Sequence, residues 1–334
     1  MLHCHILPWS AVAGVMTCVI LRYVWTTLTN REVEPSGRIV VVTGCDSGIG
    51  YQVARSAASW GWTVVATCLN LQGEGALALA RAGVHTVYLD FTKPNMLRSL
   101  QDKLQQLWED DGKELWCLVN NAGMMTHARL EWHTNDMVVD QVRVNLTGPI
   151  DLTRALLPTI RRNKGRVVMV SSPAGQVPVP KISVYCATKW GIEGFSQSLR
   201  LELDSSGTSV VIVRPCNLPN RTGILSRNAG QLRRMIEAAS EETLQTYRKE
   251  MRESLHVFEM HFSDISTVQN INDPLLMQCF RRAMMKEKPA AAYSAAPLTV
   301  RFYLGLLQIL PSSFLYALLK WGVYYKIMNL AKNT

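Results

Sequence analysis

Tyr185 stands four residues before Lys189, and Ser172 closes a run, Gly165–Ser171, whose β-branched apolar composition predicts a buried strand. On a helix, residues i and i+4 share a face, so the Lys189 ammonium can sit near the Tyr185 hydroxyl. A neighbouring cation favours tyrosinate and lowers its pKa from about 10 toward the working range. Tyr185 would then exchange a proton with a substrate hydroxyl or carbonyl while Ser172 hydrogen-bonds the same oxygen. Each residue taken singly also has a plainer reading: a helix-surface aromatic, a solvated charge, a cap. A second group, Thr43-Gly44-Cys45-Asp46-Ser47-Gly48-Ile49-Gly50, lies between a strand-like run and a helix-like one. Its glycines let the backbone approach a pyrophosphate at a helix N-terminus, where unpaired N–H groups and the helix dipole favour negative charge. The GxxxGxG spacing differs from the commoner GxGxxG, and a glycine-rich turn without ligand is the competing reading.

These residues need a scaffold, and the middle of the chain supplies one. Short, nearly continuous apolar runs predict strands at Arg38–Thr43, Thr63–Cys68, His85–Leu89, Leu115–Asn120, Gly165–Ser171 and Ser209–Val213. Helical patterns fall between them, including Ile49–Ser59, Met96–Glu109, Asn135–Arg161 and Ser183–Asp204. Alternating β and α elements predict an α/β fold: a Rossmann-like, doubly wound parallel sheet with helices on both faces. Pro35-Ser36-Gly37 reads as the linker before the first strand.

Composition narrows the function. The net charge of +9 would suit nucleic acid, an acidic membrane surface or an anionic ligand, but no basic run interleaved with aromatics is present, so no nucleic-acid partner is expected. The eight cysteines form no CxxC or Cys/His spacing, so no metal is expected either. Cys45, Cys68 and Cys117 fall in or beside strand-like runs, as free thiols of a reducing compartment would. A 2′-phosphate needs a basic partner in the glycine loop or after the second strand. The loop carries Asp46 and the strand end reads Cys68-Leu69-Asn70-Leu71, so NAD is favoured over NADP, with Asn70 able to offer the ribose neutral hydrogen bonds.

Both ends are apolar. Ile6 to Leu28 carries one charge, Arg22, and a helix of that length at 1.5 Å per residue would exceed a hydrocarbon core of roughly 30 Å. A membrane anchor or signal-anchor over residues 1–30 is the expectation, against a cleaved secretory signal or a buried helix. Arg22 and Arg31, following the run, place the catalytic part on the cytosolic side, and the lack of an Arg-rich presequence disfavours mitochondria. Leu298 to Leu330 is broken by Pro311 and carries Arg301, Lys320 and Lys326, which suits a helix pair in the membrane interface or at a substrate mouth. A terminal core helix is the equal alternative.

In order along the chain stand TGCDSGIG, then Asn120-Asn121-Ala122-Gly123, then Asn145, Ser172 and Tyr-x-x-x-Lys. Together they resemble the short-chain dehydrogenase/reductase family over roughly Ser36 to Ala290. The resemblance implies a catalytic tetrad of Asn145, Ser172, Tyr185 and Lys189, with Ser172 polarising the substrate oxygen, Asn145 holding the water of a proton relay, and Lys189 binding the nicotinamide ribose. It implies that Gly44, Ser47, Gly48, Ile49 and Gly50 cradle the phosphates, that Asp90 and Phe91 border the adenine, and that Asn121, Ala122 and Gly123 pack beside the adenosine ribose. It places Asn145 inside, making Asn145-Leu146-Thr147 a false glycosylation signal and leaving Asn220-Arg221-Thr222 as the sequon able to be exposed. One departure stands out: Cys216 follows Pro215 where the family usually has Gly, so a side chain near the nicotinamide and strain at a positive φ are expected.

Within the family, VATCLN with Gly73-Glu74-Gly75-Ala76, LDFTKP and LWCLVNNAG look most like the membrane-bound branch. That branch holds the type 2 11β- and 17β-hydroxysteroid dehydrogenases, retinol dehydrogenases and 3-hydroxybutyrate dehydrogenase, and an insect ecdysteroid-pathway member of the Shroud type is also similar. The resemblance implies oxidation of a secondary alcohol on a lipophilic sterol or steroid, at the endoplasmic reticulum membrane. A retinoid or short hydroxy acid is the enzymatic alternative, and a catalytically weak sterol- or dinucleotide-binding scaffold the non-enzymatic one. Residues 36–290 would form the dehydrogenase domain, with Ile224–Phe262 as a Met-rich substrate flap or plain core, and 291–334 as the apolar C-terminal segment. Homodimers or homotetramers on the 135–161 and 183–204 helices are implied by resemblance.

Overall fold

The computed structural model describes residues 31–320 except 95, 217–221, 263–270 and 272, together with isolated positions 14, 17, 18, 21 and 322. Apart from those isolated positions, the expected anchor, with Asn220 and Arg221 of the sequon and the last residues of the C-terminal segment, lies outside the described residues. Among the described residues no helix is long and apolar enough to cross a membrane.

Seven parallel strands form one sheet in the order β3-β2-β1-β4-β5-β6-β7. They are β1 (Arg38–Val42), β2 (Thr63–Cys68), β3 (His85–Tyr88), β4 (Glu114–Asn120), β5 (Arg166–Val170), β6 (Ser209–Pro215) and β7 (Ala292–Ala295). The helices are α1 (Gly48–Ser59), α2 (Glu74–Arg81), α3 (Arg98–Asp111), α4 (Asn135–Val142), α5 (Gly148–Arg162), α6 (Ser183–Leu203), α7 (Asn228–Ala238), α8 (Glu241–Phe262), α9 (Pro274–Met285), α10 (Leu298–Ile309) and α11 (Ser312–Lys320).

The apolar runs explain the layering. Successive side chains of a strand point to opposite faces. Val40 and Val42 of β1 therefore join one core with α1, α2 and α9, while Ile39 and Val41 join the other with α3, α5 and α6. The strand order turns at β1/β4, the crevice where open α/β sheets bind ligands at the carboxyl ends of their strands. The glycine loop after β1 and Asn121-Ala122-Gly123 after β4 both open there.

Three features differ from the sequence-based expectation. The helix expected over Asn135–Arg161 is two helices joined by a π turn, Arg143–Thr147, that carries Asn145. A seventh strand, β7, extends the sheet past Ala290; four residues of mixed polarity gave it no distinct pattern. The chain is also docked before Ser36. Val33 N–H donates to Met285 O (2.6 Å), Glu287 N–H donates to Arg31 O (2.9 Å) and Arg281 pairs with Glu32, contacts between segments remote in sequence.

Candidate active site

The glycine loop is shaped by close approach. Gly44 has φ +71° and a Cβ there would lie 2.8 Å from Ala122 Cα, while one on Gly50 would lie 2.2 Å from Gly44 O. Ser47, which precedes α1 in extended conformation, makes no side-chain cap bond. The first-turn N–H groups at Gly48, Ile49 and Gly50 thus keep the donor character of an uncapped helix start, which fits a dinucleotide pyrophosphate. Thr43 ties this loop to the next: its Oγ1 accepts from the N–H groups of Asn121 and Ala122 (3.0 Å each), and Asn121 Nδ2 donates to Thr43 O (2.8 Å) and Gly44 O (3.2 Å). Asn121 therefore braces the loop with its side chain, and Asn120 Nδ2 reaches Thr153 Oγ1 on α5 (3.0 Å).

Asp46 does work the sequence did not reveal. Its carboxylate accepts from the N–H groups of Leu69 and Asn70 (2.9 Å), which fixes the end of β2 and places a negative charge there. Asn70 turns its own Oδ1 to Gln72 N–H (3.0 Å), and Asp90 Oδ1 takes Thr92 N–H and Oγ1 (2.9 and 2.8 Å), both local turns. Phe91 is a core residue stacked against Gly148, and its carbonyl accepts from Arg143 Nε (3.0 Å). The Phe91 ring fills the sheet–helix layer, where Gly148 leaves room for it.

The four expected catalytic residues come together. The Ser172 hydroxyl, which accepts from Ala174 N–H (3.2 Å), lies near enough to the Tyr185 phenol to favour its ionised form. The Lys189 Nζ lies 5.6 Å from the Tyr185 ring centroid and donates to Val170 O (2.9 Å). A Cβ on Gly123 would lie 3.5 Å from Asn145 Oδ1 and 3.8 Å from Lys189 Nζ, so both tips border one space. Asn145 is buried, as expected. Its Oδ1 accepts from Met124 N–H and its Nδ2 donates to Met124 O (2.8 Å each) and to Thr188 Oγ1 (3.2 Å). The π turn, with its extra residue, is what aims Asn145 inward.

Burial dominates the electrostatics. It pushes the Tyr185 phenol up to about 12, with the Ser172 hydrogen bond pulling the other way. It pulls the Lys189 ammonium down to about 8, opposed by the Glu193 carboxylate. In this arrangement the Lys189 ammonium donates to Val170 O, and burial sets the direction of the Tyr185 shift. A Tyr, a Ser and a buried Lys so placed can move a proton to or from one substrate oxygen.

The family profile described as short chain dehydrogenase matches residues 38–227. The chain belongs to this family. Retinol dehydrogenase 7 of Mus musculus is 31% identical over 91% of the chain and 96% of its own length. The human (Homo sapiens) 17-beta-hydroxysteroid dehydrogenase type 6 is 33% identical over 83% and 86%. D-beta-hydroxybutyrate dehydrogenase, mitochondrial, of Rattus norvegicus is 37% identical over 60% of each chain. A short-chain dehydrogenase from Streptomyces avermitilis shares the fold, with TM-score 0.61 at 24% identity, covering 88% of this chain and 99% of that one. As a short-chain dehydrogenase the chain is an oxidoreductase of nicotinamide dinucleotides.

Two further regions of this dehydrogenase adjoin the tetrad. Met125, Val179 and Ile224 pack against the cluster of Ala174, Ile182, Tyr185 and Cys186, and Met125 and Ile224 also reach a second cluster, with Leu232, Met235, Met251 and Phe258 of α7 and α8. Of the methionines in the expected flap, Met235 and Met251 are core and Met260 is exposed. Met125, two residues past Gly123, was missed for lack of any periodic signal. Cys216 departs from expectation as well. The described non-glycine residues with positive φ are Lys164 and Lys181, so no strain arises at Cys216. Its thiol packs with Val177 and with Val300, Leu304 and Leu307 of α10, and burial pushes it up to about 11.

Proposed function

We propose that this dehydrogenase uses NAD to oxidise a secondary alcohol on a sterol or steroid to the ketone. The observation that carries the reading is the apolar cluster around Tyr185, in which Met125, Ala174, Val179, Ile182, Cys186 and Ile224 pack about the proton-transfer residue. Such a cluster suits a flat lipophilic ligand, and among its described residues none is a cation that would hold the carboxylate of a short hydroxy acid. Preference for NAD over NADP is supported by the Asp46 carboxylate at the end of β2 and by the absence of Lys or Arg from residues 69–73. Residues 36–290 would form the dehydrogenase domain with 224–262 as its substrate-facing arm.

In this reading Ser172 hydrogen-bonds the substrate oxygen and Tyr185 takes its proton. Lys189 leaves Val170 O for the nicotinamide ribose and brings its charge toward Tyr185, lowering the phenol from about 12. Asn145 holds a water that passes the proton on. Gly44, Ser47, Gly48, Ile49, Gly50, Asn121, Ala122 and Gly123 would hold the dinucleotide, whose chemistry when bound is to accept the hydride. Placement at the endoplasmic reticulum membrane, with the catalytic part cytosolic, is supported by α10 and α11. They turn Leu298, Phe302, Ile309, Phe314 and Tyr316 outward, flanked by Arg301 and Lys320. A homodimer or homotetramer is part of the same reading.

Turnover with NAD across a panel of steroids, retinoids and 3-hydroxybutyrate, with Tyr185→Phe as control, tests this. Steroid oxidation lost in the control supports it; turnover of 3-hydroxybutyrate or retinol alone replaces the substrate. Binding without turnover makes the chain a sterol- or dinucleotide-binding scaffold.

A further inference from the structure

One turn beyond Lys189, Glu193 points its carboxylate at Arg214 of β6. The contact is bidentate: Arg214 Nε donates to Oε1 and Nη2 to Oε2, each at 2.8 Å, with the side chains only 7% and 18% exposed for Glu193 and Arg214. A buried ion pair costs desolvation and is weak evidence for stability, so its position asks for another account. Arg214 stands where the apolar run Val210–Val213 of β6 ends, next to the terminal Pro215 of the strand.

Lys189, by contrast, is buried with one carbonyl, Val170 O, as its hydrogen-bond acceptor. Other charges nearby are engaged elsewhere. Arg143 on the π turn pairs with Asp151, and Asp136 on α4 with Arg234. Arg200, further along α6, donates to Val210 O and Ala291 O, and its charge falls on Arg214 and Glu193. Asp140 on α4 and the Tyr185 phenol complete the set, and Glu193, four residues on along α6, is the carboxylate that shares the helix face of Lys189 and favours its charged form.

We infer that Glu193 and Arg214 are a positioning pair for Lys189, Glu193 keeping the ammonium charged in its buried seat and Arg214 fixing the carboxylate while limiting its pull. The physical argument is a balance. Removing Glu193 leaves Lys189 beside an unpaired Arg214, so the lysine loses its proton more easily. Removing Arg214 leaves Glu193 unneutralised, so the lysine holds its proton more tightly. A merely structural tie between α6 and β6 would make both variants fail in the same way.

The inference rests on Lys189 contacting the dinucleotide, and the readout is the dissociation constant of NAD against pH, followed by fluorescence, alongside the alkaline limb of kcat. Relative to the parent, Glu193→Gln should move the alkaline limb down by roughly one pH unit and Arg214→Gln up by roughly half a unit. The double variant, which restores a neutral hydrogen-bonded pair, should fall between Glu193→Gln and the parent, and serves if Arg214→Gln does not fold. Limbs that stay put, or that move the same way in both single variants, overturn the pair's role. Absence of NAD binding at every pH overturns the assignment of Lys189 instead.

Discussion

Under α6 lies the sheet. Lys189 is held by a carbonyl of β5, Asn145 by the backbone of Met124, and Asn121 by Thr43 and Gly44, so each polar side chain is fixed to a strand paired on both sides or to the loop that leaves one. The α7–α8 arm has a different foundation. Leu232, Met235, Met251 and Phe258 form a core with Trp132 and Met137, apart from the two cores of the sheet. The arm is joined to the catalytic side by Met125 and Ile224 and by Glu250, which pairs with Lys181 ahead of α6 and with Arg129. Proton transfer is thus built on directional bonds to the sheet, and the arm on apolar packing together with the bonds of Asn228 to His127 and Gln231 to Thr126. Changes on one side should leave the other largely intact.

The sharpest break in that comparison is Tyr185→Phe, which should lower kcat by about 10²–10⁴-fold while the denaturation midpoint stays near the parent's. Met235→Ala should do the opposite, costing about 2–5 kcal/mol in urea denaturation through the cavity it leaves, with the chemical step retained in molecules that fold. An equal fall in kcat for this variant would join the two regions into one unit. Ile224→Ala, at the seam, should raise KM for a lipophilic substrate by roughly 10-fold at little cost in kcat.

Lys189→Met tests the polar side by pH. Below about 8, Lys189 is charged in both folded and unfolded chains, and the full burial penalty stands against the fold. Between about 8 and 10.5 the folded chain gives up its proton first, so the parent should gain stability relative to Lys189→Met from pH 7.5 to 10. A constant difference across that range would refute the depressed lysine. Smallest of all, Glu250→Gln should change stability by less than about 1 kcal/mol, since its partners are partly solvated. If the arm needs that ion pair to seat against the cluster around Tyr185, KM and not kcat should respond.

The strands were legible because each central run is apolar on both faces, and Tyr185, Lys189, Ser172 and the glycine loop were legible because their chemistry imposes fixed spacing. Other features left no such trace. The π turn at Arg143–Thr147 hides inside a continuous helical pattern, and β7 is four residues of mixed polarity. Asp46 looked like a loop acid, yet its bonds run to Leu69 and Asn70 across the β1–β2 pair. The packing of the Phe91 ring into the room left at Gly148 was equally silent in the sequence.

By itself the sequence determined the α/β alternation, the glycine turn at a helix start and the order of the catalytic residues, since these follow from local periodicity and short-range geometry. The tertiary structure alone decided which partners those residues have. Burial of Lys189 beside a single carbonyl, the bidentate hold of Arg214 on Glu193, and the seat of Cys216 under α10 all join segments far apart in the chain. Desolvation and charge pairing arise in the folded packing, and no spacing along the chain encodes them.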